Sequence, residues 1–126
     1  MPIMALFRSP SVDQAQYDAI VQELDLESQP AAGGLTHACG FDDAGICVTE
    51  VWESRADFEA FLTDRLRPVF AKLGIEFVEP QILDAYAFMA SEGTDRYIRE
   101  RGADLGAGRE AGGRVGRSAV PTAGRR

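Results

Sequence analysis

The chain has 126 residues, of which 45% are hydrophobic and 26% charged, the length and balance of one globular domain. No apolar run is long enough to span a membrane, and the first residues lack the basic start of a secretory signal, so we expect a cytoplasmic protein with no membrane partner. Residues 1–90 carry five basic and fifteen acidic side chains, a net of −10, which disfavours nucleic-acid binding.

The first half of the chain predicts a strand, a helix and a β-hairpin. The spacing of Ser11 and Gln14 is that of a capping box at the start of the helix. The turn between the hairpin strands is Asp42–Gly45, where glycine suits a left-handed backbone. The predicted elements are, in order, a strand at 3–8, a helix at about 12–27, and strands at 34–41 and 46–52.

A second helix and a last strand follow. The helix is predicted from Ser54 to Gly74, and Pro68 in its interior should kink it or split it in two. Residues 82–89 read as the last strand. The order βαββαβ predicts an α+β, ferredoxin-like fold: a four-stranded antiparallel sheet with two helices on one face.

The composition changes beyond residue 90. Eight of the thirteen glycines lie in 91–126, together with eight arginines, and no hydrophobic period is sustained. We therefore predict a folded domain over 1–90 and a disordered Gly/Arg-rich tail over 91–126. Cys39 and Cys47 flank a turn that is too tight for them to pair directly, so two free thiols are expected.

The predicted sheet is apolar on both faces. Along the third strand, Val48 and Trp52 point to one side, and Cys47 and Val51 to the other. Two helices cover only one face, so a chain of this size needs a partner for the second. The simplest partner is another copy, and we predict a homodimer.

Three polar residues interrupt the apolar rows of the strands: His37, Glu50 and Asp84. Burying such groups without partners costs a few kcal/mol, so they should pair, face water or line a pocket. A two- or four-residue turn places His37 opposite Glu50, whereas a three-residue turn closed by a bulge places it opposite Val51. The sequence leaves both registers open.

If His37 and Glu50 meet, they form an acid/base pair that we assign as the catalytic candidates. Equally, His37 could satisfy a buried hydrogen bond or pack at a dimer seam. Trp52, Tyr86, Asp84 and Phe61 are the substrate-binding candidates, although aromatic residues at such positions are more often part of the core. A single histidine and two cysteines without Cys-x-x-Cys spacing make a poor metal site, and no nucleotide motif is present, so no metal or cofactor is predicted.

Two segments resemble proteins of the antibiotic biosynthesis monooxygenase (ABM)-like family, in the dimeric α+β barrel superfamily. One is Glu50-Val51-Trp52-Glu53-Ser54 with the following Asp57–Phe61, and the other is Gly34-Leu35-Thr36-His37-Ala38-Cys39-Gly40. The second is similar to small uncharacterised members. The resemblance covers about residues 3–89, and it implies a homodimer with a pocket between sheet and helices in each subunit.

The resemblance implies several activities. Some members are cofactor-independent oxygenases of phenolic polyketides, in which a Trp like Trp52 lines the cavity; others degrade haem, act as cyclases or have no known activity. This chain has Val48 where the quinone-forming oxygenases would place an Asn. The leading hypothesis is a cofactor-independent monooxygenase acting on a small aromatic or polyketide-like molecule. The alternatives are a non-catalytic ligand-binding or accessory protein and a purely structural dimer module.

Overall fold

The computed structural model describes residues 1–98, which fall into two compact units. The first contains Met1–Asp25 and Ala31–Tyr86. The second contains Leu26–Pro30 and residues 87–98, with a 3₁₀-helix at Glu92–Tyr97. Most of the predicted tail lies outside the described residues. None of the helices within 1–98 is long and apolar enough to cross a membrane.

The first unit contains a four-stranded antiparallel sheet in the order β2-β3-β1-β4. Helices follow β1 and β3, so the chain order is βαββαβ, and the predicted ferredoxin-like α+β fold is confirmed. The strands are β1 (Ile3–Ser9), β2 (Gly34–Asp42), β3 (Gly45–Trp52) and β4 (Gln81–Asp84).

Helix α1 runs over Gln14–Leu24, and its N-cap is Asp13, not Ser11 as the sequence predicted. The side chain of Asp13 accepts from the backbone N–H of Gln16 at 2.8 Å, and the side chain of Gln16 accepts from the backbone N–H of Asp13 at 2.9 Å. The pair Ser11 and Gln14 has the same spacing as the pair Asp13 and Gln16, so both fit a capping box. Ser11, however, lies in the turn after β1, and its N–H donates to the Ser9 hydroxyl.

The second helix is interrupted just before Pro68, where the sequence predicted a kink or a split in two, and it consists of three segments. Helix α2 covers Arg55–Phe61, a π-helical segment covers Leu62–Leu66, and helix α3 covers Arg67–Leu73. The wider π turn leaves Pro68 in the first turn of α3, where a missing backbone N–H removes no helical hydrogen bond. The helix ends at Gly74, whose φ of 71° is left-handed.

The hairpin between β2 and β3 closes with a two-residue turn, since Asp42 pairs with Gly45. Gly45 has a φ of 109°, and a Cβ atom there would lie 2.1 Å from the Ser9 carbonyl oxygen. Only glycine fits this position. Asp42 accepts from the N–H of Ala44, and that bond, together with the guanidinium of Arg8, lowers the pKa of its carboxyl. The two-residue turn therefore fixes the register that the sequence left open.

Strand β4 is shorter than the predicted 82–89. It ends at Asp84, which pairs with Ile3, the first residue of β1, and the N–H of Ala85 then bonds to the Pro2 carbonyl. Beyond that point β1 offers no further backbone for β4 to pair with. The segment from Ala85 onward is therefore not a strand, whatever its apolar composition.

The two faces of the sheet differ in burial. The helix-covered face carries most of the core, including Ile3, Ala5, Val48 and Trp52, none more than 6% exposed. The other face, here named the open face, is half-exposed to exposed: Met4 is 37% and Leu83 44% exposed. On β1, β3 and β4 its apolar members are Met4, Leu6, Cys47, Val51 and Leu83. The predicted two-sided apolar sheet is thus present, and the homodimer remains a prediction.

Candidate functional site

His37 and Glu50 are cross-strand neighbours in the structure. The hairpin register pairs them directly, and both side chains point to the helix-covered face. His37 Nδ1 lies 2.7 Å from Glu50 Oε2. The side chain of Glu50 is 10% exposed, whereas that of His37 is 45% exposed. The pair therefore joins a buried carboxylate to an imidazole that solvent reaches.

The second oxygen of Glu50 is also occupied. The indole N–H of Trp52 donates to Glu50 Oε1 at 2.8 Å, within the core. A carboxylate accepts on both oxygens, so Trp52 and His37 together satisfy the buried acid. A carboxylate only accepts, so His37 donates to it from Nδ1, and in a neutral imidazole the lone pair then lies on Nε2. Glu50 thus fixes both the orientation and the tautomer of the histidine.

Tyr17 completes the arrangement, and the sequence reasoning missed it. Its hydroxyl lies 2.8 Å from His37 Nε2, and its ring stacks on the imidazole with centroids 6.0 Å apart. In the sequence Tyr17 lies at helical spacing with Ile20, Val21 and Leu24, a pattern that is typical of core residues. The available signal was its hydroxyl, because a tyrosine facing a sheet needs a polar partner.

Cys39 lies next to this group, two residues after His37 on the same face of β2. Burial raises the pKa of its thiol, and a hydrogen bond with Tyr17 opposes that effect. Both cysteines are free, as predicted, because Gly40 rather than Cys39 is opposite Cys47. A raised pKa disfavours the thiolate, which is the form of a cysteine that acts as a nucleophile.

Trp52 and Phe61, two predicted substrate-binding residues, lie in the core. They are 3% and 9% exposed, and their ring centroids are 5.1 Å apart. Phe58 also packs against Trp52, with ring centroids 5.3 Å apart. The indole therefore reaches the site through its N–H bond to Glu50 rather than through an exposed ring face.

Asp84 and Tyr86 are placed apart from this group. Asp84 is exposed at the end of β4, which β1 separates from β3. Tyr86 is fully exposed, and within residues 1–98 no hydrogen bond or ring contact joins it to His37, Glu50 or Trp52. The structure brings together His37, Glu50 and Trp52 of the predicted set, and adds Tyr17.

A groove lies elsewhere, between the second helix and β4. Its volume is about 420 Å³. Ion pairs flank it: Arg67 bonds to Glu79 at 2.6 Å, and Arg55 bonds to Glu59 at 3.0 Å. It is lined by Arg55, Glu59, Leu62, Thr63, Arg67, Glu79, Pro80 and Ile82. His37 and Glu50 are not among the lining residues.

The chemistry available at the site is proton transfer. A neutral imidazole with a carboxylate on Nδ1 can accept a proton at Nε2, and the resulting imidazolium is stabilised by the carboxylate. Across residues 1–98, no cluster of three or more His, Cys, Asp or Glu side chains could hold a metal ion.

Comparison with known proteins bears on the fold. No family model and no curated protein matches the chain. Among solved structures, a variant of SnoaB, a cofactor-independent oxygenase from Streptomyces nogalater, matches with a TM-score of 0.50 at 13% identity, covering 71% of this chain and 96% of that one. An antibiotic biosynthesis monooxygenase candidate from Chloroflexus aurantiacus matches with a TM-score of 0.45 at 20% identity, covering 71% and 95%. The match to SnoaB shows a shared fold, the ferredoxin-like α+β fold that the resemblance implied.

Proposed function

We propose that this protein binds a small aromatic or polyketide-like molecule and removes a proton from it, as the first step of a cofactor-independent oxygenation. The observation that carries the proposal is the 2.7 Å bond between His37 Nδ1 and Glu50 Oε2. It orients the half-exposed imidazole so that Nε2, which the Tyr17 hydroxyl contacts, is the nitrogen left to accept a proton. The fold shared with SnoaB, itself a cofactor-independent oxygenase, supports the same chemistry.

The proposed reaction needs no cofactor, because the substrate supplies the electrons. In a phenolic anthrone, loss of a ring CH₂ proton to His37 gives a carbanion that reduces dioxygen. The ring CH₂ becomes a carbonyl, one oxygen atom stays in the product, and the other leaves as water. Each ring CH₂ consumes one O₂, so atoms and electrons balance without metal or flavin. We place the reaction in the cytoplasm, consistent with two free thiols.

A homodimer is part of the proposal. The open face presents a row of apolar side chains in which Val51, Met4 and Leu83 are neighbours on three adjacent strands. A second copy packed there would remove this surface from water. We do not expect the protein to bind nucleic acid, since the net charge of residues 1–90 is strongly negative.

The test uses 1,8-dihydroxyanthrone as the probe and follows quinone formation and oxygen uptake. We expect the wild type to accelerate oxidation and His37→Gln to lose about 10²–10⁴-fold of that acceleration, the usual contribution of a general base. Thermal unfolding of both proteins confirms that the variant is folded. Equal rates for wild type and His37→Gln would remove His37 from the mechanism.

A second candidate function is non-catalytic ligand binding. The groove of about 420 Å³ favours it, because that groove is separate from the His37–Glu50 pair. The discriminating measurement is a thermal shift with the quinone product as ligand. A ligand that raises the melting temperature equally in wild type and His37→Gln, with no oxidation by either, would support the binding protein.

A further inference from the structure

Tyr17 occupies the one nitrogen of His37 that the proposed mechanism needs free. Its hydroxyl lies 2.8 Å from Nε2, and Nδ1 is already committed to Glu50. A substrate proton can reach Nε2 in only two ways. Either Tyr17 leaves, or the proton passes through the tyrosine hydroxyl.

The packing of Tyr17 favours the second way. Its ring stacks on the imidazole at an interplanar angle of 20° and meets Phe41 edge-on with centroids 6.2 Å apart. The hydroxyl also hydrogen-bonds with the Cys39 thiol. Three residues of one strand thus hold the side chain in place, and moving it would break all of these contacts.

We propose that Tyr17 is a catalytic residue that relays the proton between substrate and His37. This rests on the proposed function, and it names the group that touches the substrate. As the tyrosine oxygen takes a proton from the substrate, its own proton passes to His37 Nε2. The net change is one proton moved from substrate to imidazole, which leaves a substrate anion, a neutral tyrosine and an imidazolium paired with Glu50.

The relay also defines a substrate class. Because the tyrosine is neutral before and after the transfer, the net acceptor is the imidazole, and the substrate must be acidic enough at its reacting atom to give a proton to that imidazole. Phenols, enols and anthrone-like carbon acids meet this condition, whereas simple alcohols and unactivated C–H groups do not. The site should therefore distinguish substrates by acidity at the reacting atom.

The first measurement is the NMR signal of the imidazole nitrogens, which needs no ligand. The chain has a single histidine, so the signals belong to His37 alone. We expect the Nδ1–H tautomer in the wild type and a shifted Nε2 resonance in Tyr17→Phe, which keeps the ring but loses the donor. The control is Tyr97→Phe, an exposed tyrosine whose hydroxyl bonds to Arg96. An Nε2 resonance unchanged in Tyr17→Phe would overturn the relay.

The second measurement is oxidation of 1,8-dihydroxyanthrone. The relay predicts that Tyr17→Phe lowers kcat by about 10²-fold or more, with KM within a few-fold of the wild type and Tyr97→Phe unaffected. A Tyr17→Phe enzyme with undiminished kcat and lower KM would show that Tyr17 obstructs the base, which overturns the relay.

The two proposals fail differently. If His37→Gln abolishes oxidation and Tyr17→Phe does not, the relay is wrong and the proposed function stands. If the wild type does not accelerate the reaction, the proposed function is wrong for anthrones and the relay fails with it.

Discussion

At the scale of single residues, Glu50 connects the core to the exposed imidazole. One oxygen accepts a hydrogen bond from the indole N–H of Trp52 inside the molecule, and the other accepts one from Nδ1 of His37 nearer the surface. A buried carboxylate without these donors would be costly, so the bonds are a condition for keeping an acid at this position. The same acid then serves both stability and the proposed chemistry.

Replacing Glu50 with Gln tests whether the carboxylate contributes to stability as well as to the site. The amide is neutral and has only one accepting oxygen, so the Trp52 and His37 hydrogen bonds lose their charged acceptor, and the group that faces the NH₂ must accept instead of donate. We expect a loss of about 1–3 kcal/mol in the free energy of unfolding, measured by urea denaturation. The emission of Trp52, the chain's single tryptophan, should change as well. Glu53→Gln, at an exposed position, is the control and should cost less than about 0.5 kcal/mol; an equal loss would contradict the argument.

The thiol of Cys39 offers a pH-dependent prediction. In Cys47→Ser it is the only thiol, and its alkylation by iodoacetamide follows the thiolate fraction. Because burial raises its pKa, the pH midpoint of the alkylation rate should lie higher in the folded protein than in urea, where an ordinary thiol has a pKa of about 8.5. The reaction should be slow at neutral pH and speed up as the pH rises. Coinciding midpoints would contradict this.

At the scale of elements, the hairpin determines whether the site exists. Its two-residue turn sets His37 opposite Glu50, and a turn one residue longer would set it opposite Val51 instead. Gly45 makes the short turn possible through its left-handed φ and its close approach to β1. The position of one glycine thus decides which side chain faces the histidine.

Gly45→Ala should therefore destabilise the protein by at least about 1 kcal/mol, since a methyl group there meets backbone and the φ of 109° is unfavourable for alanine. Urea denaturation measures the loss. Gly40→Ala in the same hairpin is the matched control, because a Cβ atom there has nothing within 4 Å. That control should be neutral or stabilising by up to about 1 kcal/mol. Similar losses in both variants would refute the steric explanation.

The order of strands and helices could be predicted from the sequence because each element carries its own local signal. The β-branched run of β3 and the helical spacing around Pro68 are examples. The hairpin register could not be predicted, because the residues Asp42–Gly45 fit two turn lengths. What favours the shorter turn is the close approach of Gly45 to Ser9, which is a contact with another strand. The end of β4 could not be predicted either, because β4 ends where its partner β1 begins, at Ile3, which is distant from it in the sequence.

The candidate site was predicted in part. His37 and Glu50 were identifiable as polar residues in apolar strands, without knowledge of whether they met. Tyr17 was not, because its spacing in α1 is that of a core residue and its partner lies 20 positions away on another element. Tyr86 was chosen on the assumption that the last strand continued, but that strand ends at Asp84.

At the scale of the whole molecule, the open face carries the prediction of a homodimer. Leu83 lies in its apolar row, beside Met4. We expect the wild type to sediment as a dimer and Leu83→Glu to shift it to monomer, because burying a charge there is costly. Ala71→Glu, at an exposed position on α3, adds the same charge away from the face and should leave the dimer intact. A monomeric wild type over the full concentration range would disprove the dimer.

The π segment has a geometric consequence for the second helix. An α-helix turns by about 100° per residue, so in an unbroken helix the apolar side chains of α3 would sit about 70° around the axis from those of α2. The π turn advances less per residue and takes back much of that rotation. The apolar residues of α3, Val69, Phe70 and Leu73, are half-buried rather than exposed. The π segment therefore aligns the apolar side of α3 with that of α2, so that one apolar stripe continues past the interruption at Pro68.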